Sequence, residues 1–432
     1  MAGTHALNTL RHRDFMLLWL GQLVSSTGDM MQNVAIAWNM YLLTNSALMI
    51  GLMAAVRAVP SVLLSMYGGA FADVVERKRL LLVVTWIQAG VTAVLVAAAF
   101  TGHVTVWLLF AITIAGGATN AFANPARTAL VPNVVPPAEL GNAFAMLTLM
   151  RQVANVAGPG VGGILIAVTG LGATYMANAI SFLGVIAALV LMGPVPMARA
   201  ATTGSNWDRI VEGLRFTWRE PLLMVPLFID GLTRLVVSFP PLLPVLASAV
   251  FGMGPQGLGW LQSASAAGAV VGGLAMGAGR YGKYPLRLMV GGYLLEGCFI
   301  AGLGLSTLLA NNATLIGFGL AVAMLFANGV CDVISEVTRT IVLQLKTPDE
   351  LRGRVNAFSS IVAGNFPQLG QLEMGGVTSA LGPLFAGVFG GVMAIGLTLA
   401  CVAPRRLRNP VLNWELAPLA VEEPEPAPAV AG

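Results

Sequence analysis

The chain of 432 residues is 56% hydrophobic and 10% charged, with a mean hydropathy of +0.80. That composition leaves too little polar surface to clothe a soluble globule of this length. The net charge of +4 sits in segments between apolar stretches, so no nucleic-acid surface is expected. A helix needs about 20 apolar residues to cross about 30 Å of hydrocarbon. Twelve such spans are expected near 15–43, 47–71, 80–100, 104–124, 143–168, 173–193, 222–250, 255–278, 288–308, 313–337, 356–379 and 382–403. The first is too long, and runs too directly into the others, for a cleaved signal peptide.

In the first span Gln22, Ser25, Ser26, Asp29 and Asn33 recur at steps of three and four, predicting one polar stripe with Asp29 near its middle. A charge in hydrocarbon costs at least ~2.5 kcal/mol, so one that persists lines a cavity or is paired. Loss of water favours a protonated carboxyl and a nearby cation favours the ionised one, which makes Asp29 a candidate proton carrier. The alternative is a structural partner for an arginine. Arg57 in the second span and Arg151, near Gln152 and Asn155, in the fifth could hold Asp29 and Glu373 or meet an anionic substrate. Asp73 and Arg77–Lys78–Arg79 punctuate the connector after the second span, and Arg127 follows the fourth; Asp73, Arg77 and Arg127 are expected to serve gating or structure. In the fifth, Gly158, Gly162 and Gly163 permit close helix approach while Pro159 bends the helix.

Residues 194–221 form the longest internal polar segment, in which Trp207, Ile210, Val211, Leu214 and Trp218 follow helical spacing. An amphipathic helix at the cytoplasmic surface, or a plain linker, fits that pattern. In the seventh span Asp230 and Arg234 are an i,i+4 pair of opposite sign, expected to neutralise each other. Pro240–Pro241 and Pro244 then break the helix, a plausible hinge. Glu296 in the ninth span is expected to be structural. The tenth aligns Asn328, Asp332 and Glu336 on one face, with Arg339 below; Glu336 is expected to pair with Arg339, leaving Asp332 as a second proton candidate. The eleventh contributes Gln368, Gln371 and Glu373; Glu373 and Asp230 are further proton-coupling candidates. Gln22, Ser26, Asn33, Arg57, Arg151, Asn155, Arg234, Asn328, Gln371 and Glu373 are expected to line the central cavity. The tail beyond 404 is rich in Pro, Glu and Ala and is expected to be disordered.

Cys298, Cys331 and Cys401 lack metal or redox spacing, and His5, His12 and His103 lie outside helix interiors, so neither a metal site nor a histidine relay is expected. No cofactor is expected. Without a Walker-type loop, HExxH or GxSxG, neither an ATP-driven pump nor an enzyme is supported.

Of the 23 basic residues, Arg57, Arg151 and Arg234 fall inside spans, and the rest lie only in alternate connectors. Positive loops stay in the cytoplasm, so both termini are placed inside. The chain also repeats: Arg127–Thr128 recurs as Arg339–Thr340, and Asn142–Ala143–Phe144 as Asn356–Ala357–Phe358. The displacement of about 212 residues carries Asn120, Asn124 and Arg127 onto Asp332, Glu336 and Arg339. Because six spans separate the copies, the repeat is parallel, and substrate is expected near the midplane between the halves, 1–193 and 222–403.

Over residues 10–405 the chain resembles the major facilitator superfamily, and within it the drug and siderophore exporters of the enterobactin-exporter type. Gly69-Ala-Phe-Ala-Asp73-Val-Val-Glu-Arg77-Lys78-Arg79 is similar to the superfamily's cytoplasmic signature, with Val74 and Glu76 departing from it; in the second-half copy Gly277 stands where the acid would be. Ala154-Asn-Val-Ala-Gly158-Pro159-Gly-Val-Gly162-Gly163 is similar to its antiporter motif, with alanine for the first glycine. The resemblance implies an all-α membrane fold of two six-helix bundles and transport by alternating access. The expected function is proton-coupled export, by antiport, of amphiphilic small molecules from a bacterial inner membrane, with one chain sufficient. An importer or a lipid flippase on the same fold is the alternative.

Overall fold

A computed structural model describes residues 9–193, 218, 220–277, 284–404 and 412–415. Those residues are overwhelmingly helical, with no strand among them. Helix α1 (Arg13–Thr44) ends at Asn45, whose left-handed backbone (φ 47°) leads into α2 (Ala47–Val74). After α3 (Arg77–Phe100), α4 (Val106–Leu130) is capped by the Thr105 hydroxyl, which accepts from the Leu108 N–H. The helix Leu140–Leu191 is broken at Gly170 (φ 86°, ψ 176°) into α5 (140–169) and α6 (171–191). Helix α7 (Pro221–Val236) stops before Pro240–Pro241 and resumes as Leu242–Val245 and a π-helical turn, Leu246–Val250. Proline rings that lack an N–H account for the break.

The chain continues through α8 (Gly254–Gly277), α9 (Pro285–Ser306) and α10 (Thr314–Lys346). Gly382 (φ 83°) divides the last helix, Asp349–Val402, into α11 (349–381) and α12 (383–402). Gly170 and Gly382 are separated by the displacement of the sequence repeat, and both occupy backbone that an L side chain rarely adopts. Packing repeats as well. Helix α1 lies against α5 and α6 while α2 and α3 flank α4; α7 lies against α11 and α12 while α8 and α9 flank α10.

Among the described residues seven helical stretches have the length and hydropathy to cross a membrane, two of them being the long α5–α6 and α11–α12 units. Trp107, Leu315 and Val168 point outward, as lipid-facing side chains do. The chain is a multi-pass membrane protein. At the end with basic connectors, Arg77 donates to Ala129 O (2.9 Å) and Lys78 to Met192 O (2.7 Å), so both close free carbonyls at helix C-termini.

The two ends of the molecule pack differently. Near the uncharged connectors one apolar cluster runs through both halves, from Val34 and Tyr41 to Leu261 and Leu325. Near the basic connectors the halves keep separate clusters, one around Phe15, Leu81 and Met150 and another around Met289 and Tyr293. The seam at the uncharged end is tight. Leu48 N–H donates to Ser379 Oγ (2.9 Å) between α2 and α11, and Ser263 Oγ donates to Val156 O (2.7 Å) between α8 and α5.

Two expectations meet the structure at the polar segments. Residues 194–217 and 219 of the linker, with most of its amphipathic pattern, lie outside the described residues, while Trp218 stacks edge-on against Phe228 at 5.2 Å. Leu412–Glu415, expected inside a disordered tail, instead dock on α9 and α10. Arg287 donates to Leu412 O and Asn413 Oδ1 (both 2.7 Å), and Lys346 lies over the Trp414 ring at 5.2 Å. Composition hid this because one tryptophan and two cations suffice to hold a short segment.

Candidate transport site

Between the halves lies a cavity of about 830 Å³, within the range of small-molecule sites. Its N-terminal wall carries Ser26, Asp29 and Asn33 from α1, Arg57 from α2, Asn120, Asn124 and Arg127 from α4, and Arg151 and Asn155 from α5. Facing them are Phe239 and Pro240 at the break in α7, Gln262 from α8, Asp332 from α10, and Gln368 and Gln371 from α11. The charged side chains lining it are therefore three arginines and two aspartates.

Asp29 accepts from Asn178 Nδ2 of α6 at 3.4 Å, and the same amide donates to Gln32 Oε1 at 2.8 Å. The guanidiniums facing Asp29 are those of Arg127 and Arg57. Arg127 also faces Arg151, and its Nε is buried with no hydrogen-bond partner. Arg151 is exposed to the cavity and makes one long contact, 3.5 Å to Thr148 Oγ1. This wall is rich in cations and loosely paired.

Behind the opposite wall the pairing is dense. Asp230, fully buried, accepts from Arg234 Nε (2.8 Å), from Tyr293 Oη (2.8 Å) and from Arg339. Arg234 reaches on to Asp332 (3.0 Å) and Glu336 (3.7 Å), linking the buried acid to one that lines the cavity. Glu296 of α9 joins this cluster through its electrostatic contacts with Asp332 and Arg234; it is 4% exposed, with Oε1 unpartnered. Four acids thus share two arginines.

Several expectations change here. Glu336 does not pair with Arg339: the arginine turns inward to Asp230, whose burial demands a partner, and Glu336 faces Arg234 instead. Among the described residues no ion pair joins Glu373 to Arg57 or Arg151; Glu373 lies off the cavity with one carboxyl oxygen buried and unpartnered. Gln22, Asn328 and Arg234 are not on the cavity surface either. Gln22 lies two turns from Asp29 on the same face of α1, where helix packing has closed over it and left both amide atoms unpartnered. Arg127, expected as a gating residue, lines the cavity. The side chain of Asp73 lies outside the described residues.

The glycines of α5 do permit close approach. A Cβ at Gly158 would meet Thr27 O of α1 at 3.0 Å, and one at Gly162 would meet Met31 Cα at 3.0 Å. One at Gly163 would stand 2.5 Å from Pro255 O and 2.9 Å from Gly259 Cα of α8, across the seam. Asn178, Gln32 and Tyr293 were not anticipated. Their signal was weak but present: single polar groups within apolar helices, of which Asn178 meets Asp29 and Gln32, and Tyr293 meets Asp230, only through the tertiary fold.

A helical membrane protein folded as two repeated halves around a polar central cavity has the architecture of a membrane transporter. The profile of the transmembrane secretion effector family matches residues 4–431, and the chain belongs to that family within the major facilitator superfamily. It is 26% identical over 414 residues to the enterobactin exporter EntS of Shigella boydii serotype 4 (strain Sb227), covering 92% of this chain and 94% of the relative. It is 24% identical over 395 residues to macrolide efflux protein A of Streptococcus pyogenes, covering 90% and 94%. Solved structures of similar fold include the nucleoside transporter NupG (D323A mutant; TM-score 0.72, 12% identity, 90% and 99% covered) and a bacterial homologue of ferroportin in an inward-facing state (TM-score 0.66, 14% identity, 90% and 98% covered). Members of the family are transporters, not enzymes.

Proposed function

We propose that the protein is a proton-coupled exporter of amphiphilic small molecules, crossing a bacterial inner membrane twelve times with both termini in the cytoplasm. The observation that carries the coupling is the cluster behind the C-terminal wall, where Asp230, Glu296, Asp332 and Glu336 share Arg234 and Arg339. Four carboxyls facing two guanidiniums, with Asp230 and Glu296 buried and Asp332 and Glu336 partly exposed, form a coupled set that can hold a proton, and Asp332 opens it to the cavity. Asp29, which faces Arg57 and Arg127, is the second candidate on the opposite wall.

Export as the direction follows the two relatives, an enterobactin exporter and a macrolide efflux protein. The separate apolar clusters near the basic connectors and the shared one at the other end fit a cavity open to the cytoplasm. Rocking of one half on the other would close the first end and part the glycine seam of α5 and α8. One chain holds both halves, so a monomer suffices.

The test is proton movement in proteoliposomes with a trapped pH dye, using anionic, cationic and zwitterionic amphiphiles on wild type, Asp332→Asn and Asp29→Asn. Substrate-evoked proton flux that Asp332→Asn loses, with counterflow exchange retained, supports this assignment. Undiminished proton flux in Asp332→Asn would remove Asp332 from the coupling role, and proton flow in the same direction as substrate would favour import.

A further inference from the structure

Resting on the reading of this cavity as the transport site, we infer that it is built to take an organic anion: an apolar body bearing a carboxylate, phenolate, sulfonate or phosphate. Arg57, Arg127 and Arg151 present three positive charges on the N-terminal wall, against the single carboxylate of Asp29. The other acid on the cavity surface, Asp332, bonds Arg234 at 3.0 Å on the opposite wall, and the carboxylate that faces Arg57 and Arg127 is that of Asp29. Asparagines and glutamines supply the remaining polar lining, and amides carry no countercharge.

Two geometric details show donors left waiting. Arg127 lines the cavity, where its guanidinium faces Asp29 and Arg151 and forms no ion pair among the described residues. The Arg151 guanidinium is exposed to the cavity with one 3.5 Å contact, to a hydroxyl. Planar guanidinium forks match a two-oxygen anion, whereas a cationic ligand would add to a surplus of like charge. Ile36, Met53, Phe182, Phe239 and Leu243 line the same space and would cover the apolar body.

Asp29 then stands as the countercharge of the empty cavity, competing with the ligand for the same guanidiniums. Neutralising it strengthens anion binding. An anion leaving a cell with a negative interior also moves down the electrical gradient.

Fluorescein and rhodamine 123 share one xanthene ring system, and at pH 8 the first is a dianion and the second a cation. Their anisotropy with the purified full-length protein in a non-ionic detergent, corrected for empty micelles, measures the preference. Fluorescein is expected to bind at least about tenfold tighter than rhodamine 123. Arg151→Gln should weaken it by about tenfold and Arg151→Lys by less, the scale of one charge-assisted contact; Asp29→Asn should tighten it. Rhodamine 123 binding as tightly as fluorescein, unchanged fluorescein affinity in both Arg151→Gln and Arg57→Gln, or no saturable fluorescein binding would each overturn the inference. In proteoliposomes, fluorescein that binds but yields no proton-driven flux removes the proton-coupled reading and keeps the anion site. Rhodamine 123 driven against its gradient keeps the exporter and removes the anion class.

Discussion

Arg127 and Arg339 occupy the same position in the two copies of the repeat, and each faces an aspartate from the first helix of its own half: Asp29 in one case, Asp230 in the other. Their surroundings differ sharply. Arg339 is buried and bonded to an Asp230 that three donors satisfy, whereas Arg127 lines a cavity and, among the described residues, forms no ion pair with the Asp29 it faces. One pair is a closed structural knot with an acid surplus beside it, and the other faces the central cavity. Duplication copies positions, and what the opposing helices offer decides what each position does.

That contrast can be broken most forcefully at the closed pair. Arg339→Gln or Asp230→Asn strands a buried charge, so each is expected to destabilise the protein by about 3–5 kcal/mol, read as a lower thermal midpoint in detergent. The double variant should recover part of the loss. Arg127→Gln is the counterpart: transport should fall at least tenfold while the thermal midpoint stays close to wild type, and an equal loss of stability in the two arginine variants would erase the distinction.

The seam that both halves share is probed by Gly163→Val. Its Cβ would press on Pro255 O and Gly259, backbone atoms that cannot yield cheaply. The variant is expected to favour the state parted at the uncharged end, shown by faster maleimide labelling of a cysteine placed at Ser46, and to slow transport severalfold. The smallest effect is reserved for the tail: Trp414→Ala removes one cation–π contact with Lys346, worth about 0.5–1 kcal/mol, and should leave transport unaltered.

Much of this molecule is legible in its residues. The spans, the alternation of basic connectors and the repeat follow from hydropathy and spacing, and Gly170 and Gly382 bear the repeat out in backbone conformation. The i,i+4 pair Asp230–Arg234 was also local enough to read, and it forms at 2.8 Å. Residues that meet through space were not. The position of Arg127 in the chain says nothing of Asp29 almost a hundred residues earlier, and Glu296, expected to be structural, gave no sign that it would sit against Asp332 and Arg234.

By itself the sequence determined that this is a polytopic helical membrane protein in two similar halves, because apolar length and charge placement act through the bilayer along the chain. Only the tertiary structure decided which charges line the cavity, which are locked behind its wall, and which end is sealed. Those outcomes depend on the rotation of each helix about its axis and on which glycines let two helices touch, and a linear pattern fixes neither.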